Sequence, residues 1–273
     1  MQRILTALVA LPILIVSILV PWLWWLFVAL AIGAMVVGLW EFYLLAKKLQ
    51  LKPDPVIGYV AGAGLLTISL QHDPFGNALL TNLIIIVLTA ATLVAATLRG
   101  GPFDKLLASA GATILGVLYV PLLGSYLVAV RVGFEPTLSA HLLSFFFLVL
   151  MGADTGAYYT GRAFGKHKLA PSISPGKTWE GAVGGLVAAL AMATLAHFWF
   201  FRYFPVRYTL PLAAVMTVVG ILGDLAESAL KRGAGAKDAA NILPGHGGIL
   251  DRLDSLLFNA PLIYYFGCYH FRC

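Results

Sequence analysis

The chain reads as an all-α, polytopic integral membrane protein of about nine transmembrane helices with its N-terminus in the cytoplasm. Three observations predict this. Of the 273 residues, 60% are hydrophobic and only 11% charged, with a mean hydropathy of +0.89, whereas a soluble domain carries roughly 25% charge. The apolar residues fall in runs near the ~20 residues that a helix needs to cross hydrocarbon. The basic residues concentrate in alternate turns between those runs. A net charge of +6 would suggest nucleic acid in a soluble chain, but there is no basic helix or aromatic-interleaved patch, so no nucleic-acid partner is expected.

The first span covers residues 4–20 and is stopped by Pro21. Arg3 followed by an apolar run imitates a signal peptide, yet no small-residue cleavage site follows and a second span begins at once, so it is taken as a membrane helix. The second runs from 22 to about 45, with Trp22, Trp24 and Trp25 suited to the interface. Lys47, Lys48, Lys52, Pro53 and Pro55 end it. A short, Gly-rich third span follows at 56–70, and a fourth at 79–98 closes on Arg99-Gly100-Gly101-Pro102. The fifth (107–130) and sixth (138 to about 159) carry Gly111, Gly116, Gly152 and Gly156, which permit close helix approach. Asp154 stands inside the sixth, and an intramembrane acid is either functional or paired with a cation on another helix. The last three spans are 181–201, 210 to about 230, and 249 to about 266. The chain therefore groups into N-terminal helices (1–105), central helices with a polar loop (106–178) and C-terminal helices with the main polar patch (179–273). No linker separates these into independent units.

Of the 18 Lys and Arg residues, all but Arg131, Arg202, Arg207 and Arg272 fall on one side of a nine-span arrangement. The positive-inside bias assigns that side to the cytoplasm. The two site-like polar stretches lie there.

Residues 220–255 read GILGDLAESALKRGAGAKDAANILPGHGGILDRLDS. Asp224 and Glu227 are three apart, as are Asp251 and Asp254, so on helices each pair shares a face and can converge on a cation. Carboxylates beside hydrocarbon are costly unless neutralised, which points to a divalent metal. Lys231, Arg232, Lys237 and Asp238 lie between the pairs, and Pro244-Gly245-His246-Gly247-Gly248 is a backbone suited to close approach by an anion. The second stretch, residues 160–185, contains Ser174, Lys177, Thr178 and Glu180 just before a helix expected to begin near Trp179 or Glu180. It can hold phosphate at a helix N-terminus, or Ser174 or Thr178 can serve as the helix cap. No Walker motif is present, which disfavours a standard nucleotide-hydrolysing engine.

The pattern Ser228-x-x-Lys231-Arg232, Lys237-Asp238, Leu243-Pro244-x-His246-Gly247-Gly248-x-x-Asp251-Arg252-x-Asp254 resembles the signature of the phosphatidate cytidylyltransferase (CDP-diglyceride synthetase) family. Asp154 and the run from Ser174 through Gly181 extend the likeness, and in hydropathy it covers essentially the whole chain. The resemblance implies a nucleotidyltransferase that takes CTP and phosphatidic acid to CDP-diacylglycerol and pyrophosphate. It also implies Mg2+, with room for a second cation, contact with membrane lipids, a homodimer, and a bacterial inner (plasma) membrane location with the site facing the cytoplasm. By family position Asp224, Asp251 and Asp254 would hold metal, with Asp154 and Glu227 as additional acids. Lys231, Arg232 and Arg252 would clamp phosphate, and His246 would donate to a phosphate or protonate the leaving group. Ser174, Lys177, Thr178, Lys237, Asp238, Gly247 and Gly248 would contact substrate. Gly176 departs from the family, whose members often have a second lysine there. Two rivals stand beside this reading: a CTP-dependent lipid kinase that transfers the γ-phosphate, and a secondary transporter, which needs its acids near the bilayer midplane rather than toward one end.

Overall fold

The computed structural model describes residues 2–71, 78–100, 103–240 and 247–271, with side chains from residue 10 onward except that of residue 78. Helix α1 (Gln2–Leu19) stops before a 3-10 turn opened by Pro21, and α2 (Trp24–Lys48) places Lys47 and Lys48 in its last turn, where the helix dipole favours cations. Helix α3 (Pro55–Ser69) begins with proline at its first position behind the Asp54 cap, and α4 (Ala78–Leu98) follows. Helices α5 (Leu106–Val117) and α6 (Leu123–Gly133) form one rod interrupted by a π turn over Leu118–Leu122. Pro121 lies in that turn, and its missing N–H is the reason the regular ladder breaks there. Helices α7 (Pro136–Phe164), α8 (Trp179–Trp199), α9 (Val206–Gly233) and α10 (Leu250–Phe271) complete the chain.

Among the described residues, six helical stretches are long and apolar enough to cross a membrane: α2 with its preceding turn, most of α4, the α5–α6 rod, α7, α8 and α9. The described part of α1, and α3 and α10, fall short of that measure. Helix α3 has 15 residues, about 22 Å of rise against a hydrocarbon core of about 30 Å. The loop between α7 and α8 adds one element that hydropathy did not predict, an antiparallel hairpin of β1 (Lys168–Ala170) and β2 (Ser174–Thr178). Strand β2 runs directly into α8.

Helices α7 and α8 meet along small residues. A Cβ on Gly185 would lie 2.9 Å from the Ala153 carbonyl oxygen, and one on Gly156 would lie 2.8 Å from that of Gly184, so the two backbones touch and larger residues are barred. The main core lies where α7 faces α8, α9 and α10, around Leu142, Phe145, Phe146, Val149, Met216 and Ile263. A second core joins α2 to the α5–α6 rod and α10 through Leu39, Phe42, Tyr119, Leu250 and Leu257. The C-terminal ends of α7 and α9 and the N-terminal ends of α8 and α10 gather at one end of the bundle.

Candidate active site

Four helix ends and the hairpin build one cavity of about 640 Å3. Helix α7 lines it with Asp154, Tyr158 and Arg162, one helical turn apart, and α9 with Asp224. Helix α10 contributes Asp251, Arg252 and Asp254, and β2 contributes Lys177 and Thr178. The α7–α8 seam forms its apolar wall through Ala153, Ala157, Gly181 and Gly185.

The acids outnumber the cations that reach them. Lys177 Nζ lies 2.6 Å from Asp224 Oδ2, and Ser228 Oγ donates to Asp224 Oδ1 at 3.3 Å. Asp254 Oδ1 accepts from the Ser255 N–H at 2.6 Å. Neither Asp254 nor Asp154 forms an ion pair among the described residues. Glu227, 0% exposed, sits 2.5 Å from Lys231 Nζ through Oε2, while its Oε1 is buried with no hydrogen-bond partner. One oxygen each from Asp224, Glu227 and Asp254 lies within 4.8 Å of the others. Magnesium takes oxygen ligands at about 2.1 Å, so the three carboxylates would draw closer together to share one ion. An orphaned buried carboxylate oxygen within three converging hard ligands fits a divalent cation, and a buried cluster of like charges is otherwise costly.

Asp251, expected as a metal ligand beside Asp224 and Asp254, is not among these three. Its Oδ1 lies 2.5 Å from Lys231 Nζ, and its Oδ2 accepts from the N–H groups of Gly248 at 2.7 Å and Ala239 at 3.3 Å. Glu227, three residues from Asp224 on α9, completes the group. Lys231 thus bridges Glu227 and Asp251 instead of lining the cavity. Arg232 is turned outward, donating to the carbonyls of Ile173 and Ala236. Thr178 caps α8, its Oγ1 accepting from the Gly181 N–H at 3.1 Å, and it also lines the cavity. Ser174 pairs with Ala170 within the hairpin, and does not line the cavity. Lys237 does not line it either. Asp238 lines a separate hollow with Lys47 and Lys48. Gly247 has φ of +76°, and Gly248 packs against Glu41. His246 lies outside the described residues.

Two participants were missed from sequence. Arg162 donates to Tyr158 Oη at 3.1 Å on the cavity wall. The i, i+4, i+8 spacing of Asp154, Tyr158 and Arg162 was the available signal. Glu41 is a lone acid in an apolar run, and is fully buried behind the start of α10.

A model of the cytidylyltransferase family matches residues 1–270. The chain is 35% identical to a phosphatidate cytidylyltransferase of Bacillus subtilis, over 97% of this chain and 96% of that protein. It is 39% identical to one of Pseudomonas aeruginosa, over 96% of this chain and 94% of the other. A Haemophilus influenzae protein with the same description is 43% identical over 48% of this chain and 47% of its own length.

Proposed function

The chain belongs to the cytidylyltransferase family, and from that premise we propose that it transfers the cytidylyl group of CTP to phosphatidic acid, giving CDP-diacylglycerol and pyrophosphate. The observation that carries the reading is the meeting of Asp224, Glu227 and Asp254 at one point beside a cavity that also holds Lys177, Arg162 and Arg252. An acid cluster that fits a metal, set beside a lysine and two arginines on one cavity wall, suits two polyanions that must be brought together.

In this reaction a monoester oxygen of the lipid phosphate attacks the α-phosphorus, the new P–O bond forms, and the bond to the β-phosphate oxygen breaks with pyrophosphate taking the electron pair. The lipid phosphate is largely ionised near neutrality, so cations matter more than a strong base. Asp224, Glu227 and Asp254 would hold Mg2+, which when bound neutralises and orients triphosphate oxygens. The unpaired carboxylate of Asp154 is the natural ligand for a second cation. Arg252 and Arg162, with their forked donors, would grip phosphate oxygens, and Lys177, which pairs with Asp224 in the structure, would turn its ammonium to a substrate phosphate. Lys231 holds Glu227 and Asp251 in place from behind. Asp251 is then a buttress for Lys231 and for the glycine loop. The apolar wall made by α7 and α8 is where acyl chains would lie.

The basic loops beside the cavity support a cytoplasmic orientation, on the side that holds nucleotide and magnesium. The relatives' bacterial sources support the inner (plasma) membrane. The homodimer is carried by the family resemblance alone, and light scattering in detergent with the bound detergent mass subtracted checks it.

Purified protein in detergent, supplied with CTP, Mg2+ and phosphatidic acid, tests the proposal by measuring pyrophosphate and lipid product together. Both should appear in equal amounts and vanish with a chelator. Release of CDP with a newly phosphorylated lipid would replace this reading by the lipid-kinase one, and no turnover of either kind would overturn it.

A further inference from the structure

The acids of α10 are aimed by a residue of α2. Glu41 is 0% exposed and does not line the active-site cavity. Its Oε1 accepts from the Ile249 N–H at 2.9 Å and its Oε2 from the Leu250 N–H at 2.6 Å, across a sequence separation of 208 residues or more. The preceding N–H, that of Gly248, goes to Asp251 Oδ2 at 2.7 Å. The first N–H groups of a helix have no acceptor within it. They are commonly met by a Ser, Thr, Asp or Asn just before the helix. The sequence Gly247-Gly248-Ile249 supplies none, and α2 supplies the acceptor instead.

The surroundings are shaped for this contact. A Cβ on Gly248 would lie 2.5 Å from Glu41 Oε2 and 2.8 Å from its Cδ, so only glycine admits the carboxylate. That accounts for Gly248 without any contact to phosphate. One turn earlier on α2, a Cβ on Gly38 would already touch Leu253 at 3.3 Å and Leu250 at 3.9 Å, which keeps the two helices close enough for Glu41 to reach.

We propose that Glu41 is a positioning residue: by fixing where α10 begins, it sets the rotation at which Asp254 meets Asp224 and Glu227 and at which Asp251 meets Lys231. A shift of the helix start by one residue turns every α10 side chain by about 100°, which takes Asp254 off the shared face. The activity arm of the test rests on the proposed function, and the metal arm does not.

Glu41→Gln puts an amide NH2 opposite a backbone N–H, while Glu41→Asp keeps the charge and shortens the reach. For each variant and wild type, Mn2+ binding in detergent without nucleotide or lipid is followed by electron paramagnetic resonance. Hydrogen exchange of residues 247–255 is followed by mass spectrometry, and kcat and KM for CTP are taken per folded molecule. Glu41→Gln should weaken Mn2+ binding about tenfold, speed exchange at 249 and 250, and lower kcat by one to two orders of magnitude with little change in KM. Glu41→Asp should fall between. A lower Tm with wild-type Mn2+ affinity and kcat would overturn the proposal, as would a wild-type protein that binds no Mn2+. Should Glu41→Gln not fold, Glu41→Asp decides by the same measure: weakened Mn2+ binding supports the proposal and wild-type binding overturns it. A wild type that binds Mn2+ but makes no product sinks the enzymatic reading, while the Mn2+ and exchange arms still judge Glu41.

Discussion

The two ends of the α7–α10 bundle carry opposite designs. At the end holding the cavity, among the described residues, Asp154 and Asp254 have no ion-pair partner and Glu227 buries an oxygen with no hydrogen-bond partner. At the other end aromatic packing and neutral hydrogen bonds predominate. Phe201, 0% exposed, packs on Phe145, Phe204 and Phe271. His197 Nδ1 meets the Phe204 carbonyl at 2.9 Å and His141 Nδ1 meets Tyr203 Oη at 2.8 Å. Arg131, 3% exposed, is the exception there: its Nη2 donates to the carbonyls of Ser17, Val20 and Pro21 at the end of α1, while its Nε is buried with no hydrogen-bond partner among the described residues. One end is packed chiefly by aromatic rings, with a buried cation held on carbonyls, and the other gathers acids where an incoming cation and two anions can complete the site.

Labelling gives the all-or-none break of this comparison. If the charged end faces the cytoplasm, Lys168→Cys in intact cells should resist an impermeant thiol reagent and Thr137→Cys at the other end should react. Reversed labelling would move the cavity to the wrong compartment. Residue 137 serves better than 131, since Arg131 is buried.

Substitution then separates the ends by what is lost. Asp254→Asn should lower turnover by about a thousandfold or more with an unchanged unfolding temperature, because losing a metal ligand in phosphoryl transfer costs several kcal/mol. Asp251→Asn should lose less activity and more stability, since that carboxylate holds Lys231 and two loop amides. Equal and complete loss in both, measured as initial rate at saturating Mg2+, would restore Asp251 as a ligand. At the opposite end Phe201→Ala should destabilise by about 3 kcal/mol in denaturant titrations, with kcat per folded molecule intact.

The smallest effects divide a single strand. Lys177→Ala should lower kcat/KM by one to two orders of magnitude, about 1.4–3 kcal/mol for a lost charge-assisted contact. Its neighbour Thr178→Ala should cost about 1 kcal/mol of stability as a lost helix cap. Unchanged kinetics in Lys177→Ala at low and saturating concentrations of both substrates would confine the chemistry to α7, α9 and α10.

Much of this was legible because proline, tryptophan and lysine mark helix ends locally. The breaks at Pro21 and Pro55, the start of α8 at Trp179 and the shared face of Asp224 and Glu227 all follow from short-range rules, and the joining of Asp224 with Asp254 was read from the family resemblance. The third acid was legible in part: the three-residue spacing puts Glu227 on the Asp224 face, but only the packing of α10 on α9 decides that Asp254 rather than Asp251 joins them. Lys237, Asp238 and Ser174 look from sequence as chemical as Lys177, yet the fold leaves them off the cavity wall. The hairpin of β1 and β2 is too short to leave a period in the sequence, and Glu41 acts on amides more than 200 residues away, where no local pattern reaches.

That distance also has a meaning in time. At a synthesis rate of about 5–20 residues per second, the 208 residues from Glu41 to Ile249 separate acid and amides by about 10–40 seconds. Through that interval α2 carries an acid whose donors do not yet exist, and Glu41 must be kept wet, protonated or shielded by whatever assists insertion. The capped start of α10 can therefore form only after α2 to α9 have been made, and the acidic cluster cannot be assembled before those helices are in the bilayer. A chain truncated ahead of α10 would leave that buried acid without its partners, a defect the quality-control machinery of a membrane is well placed to detect.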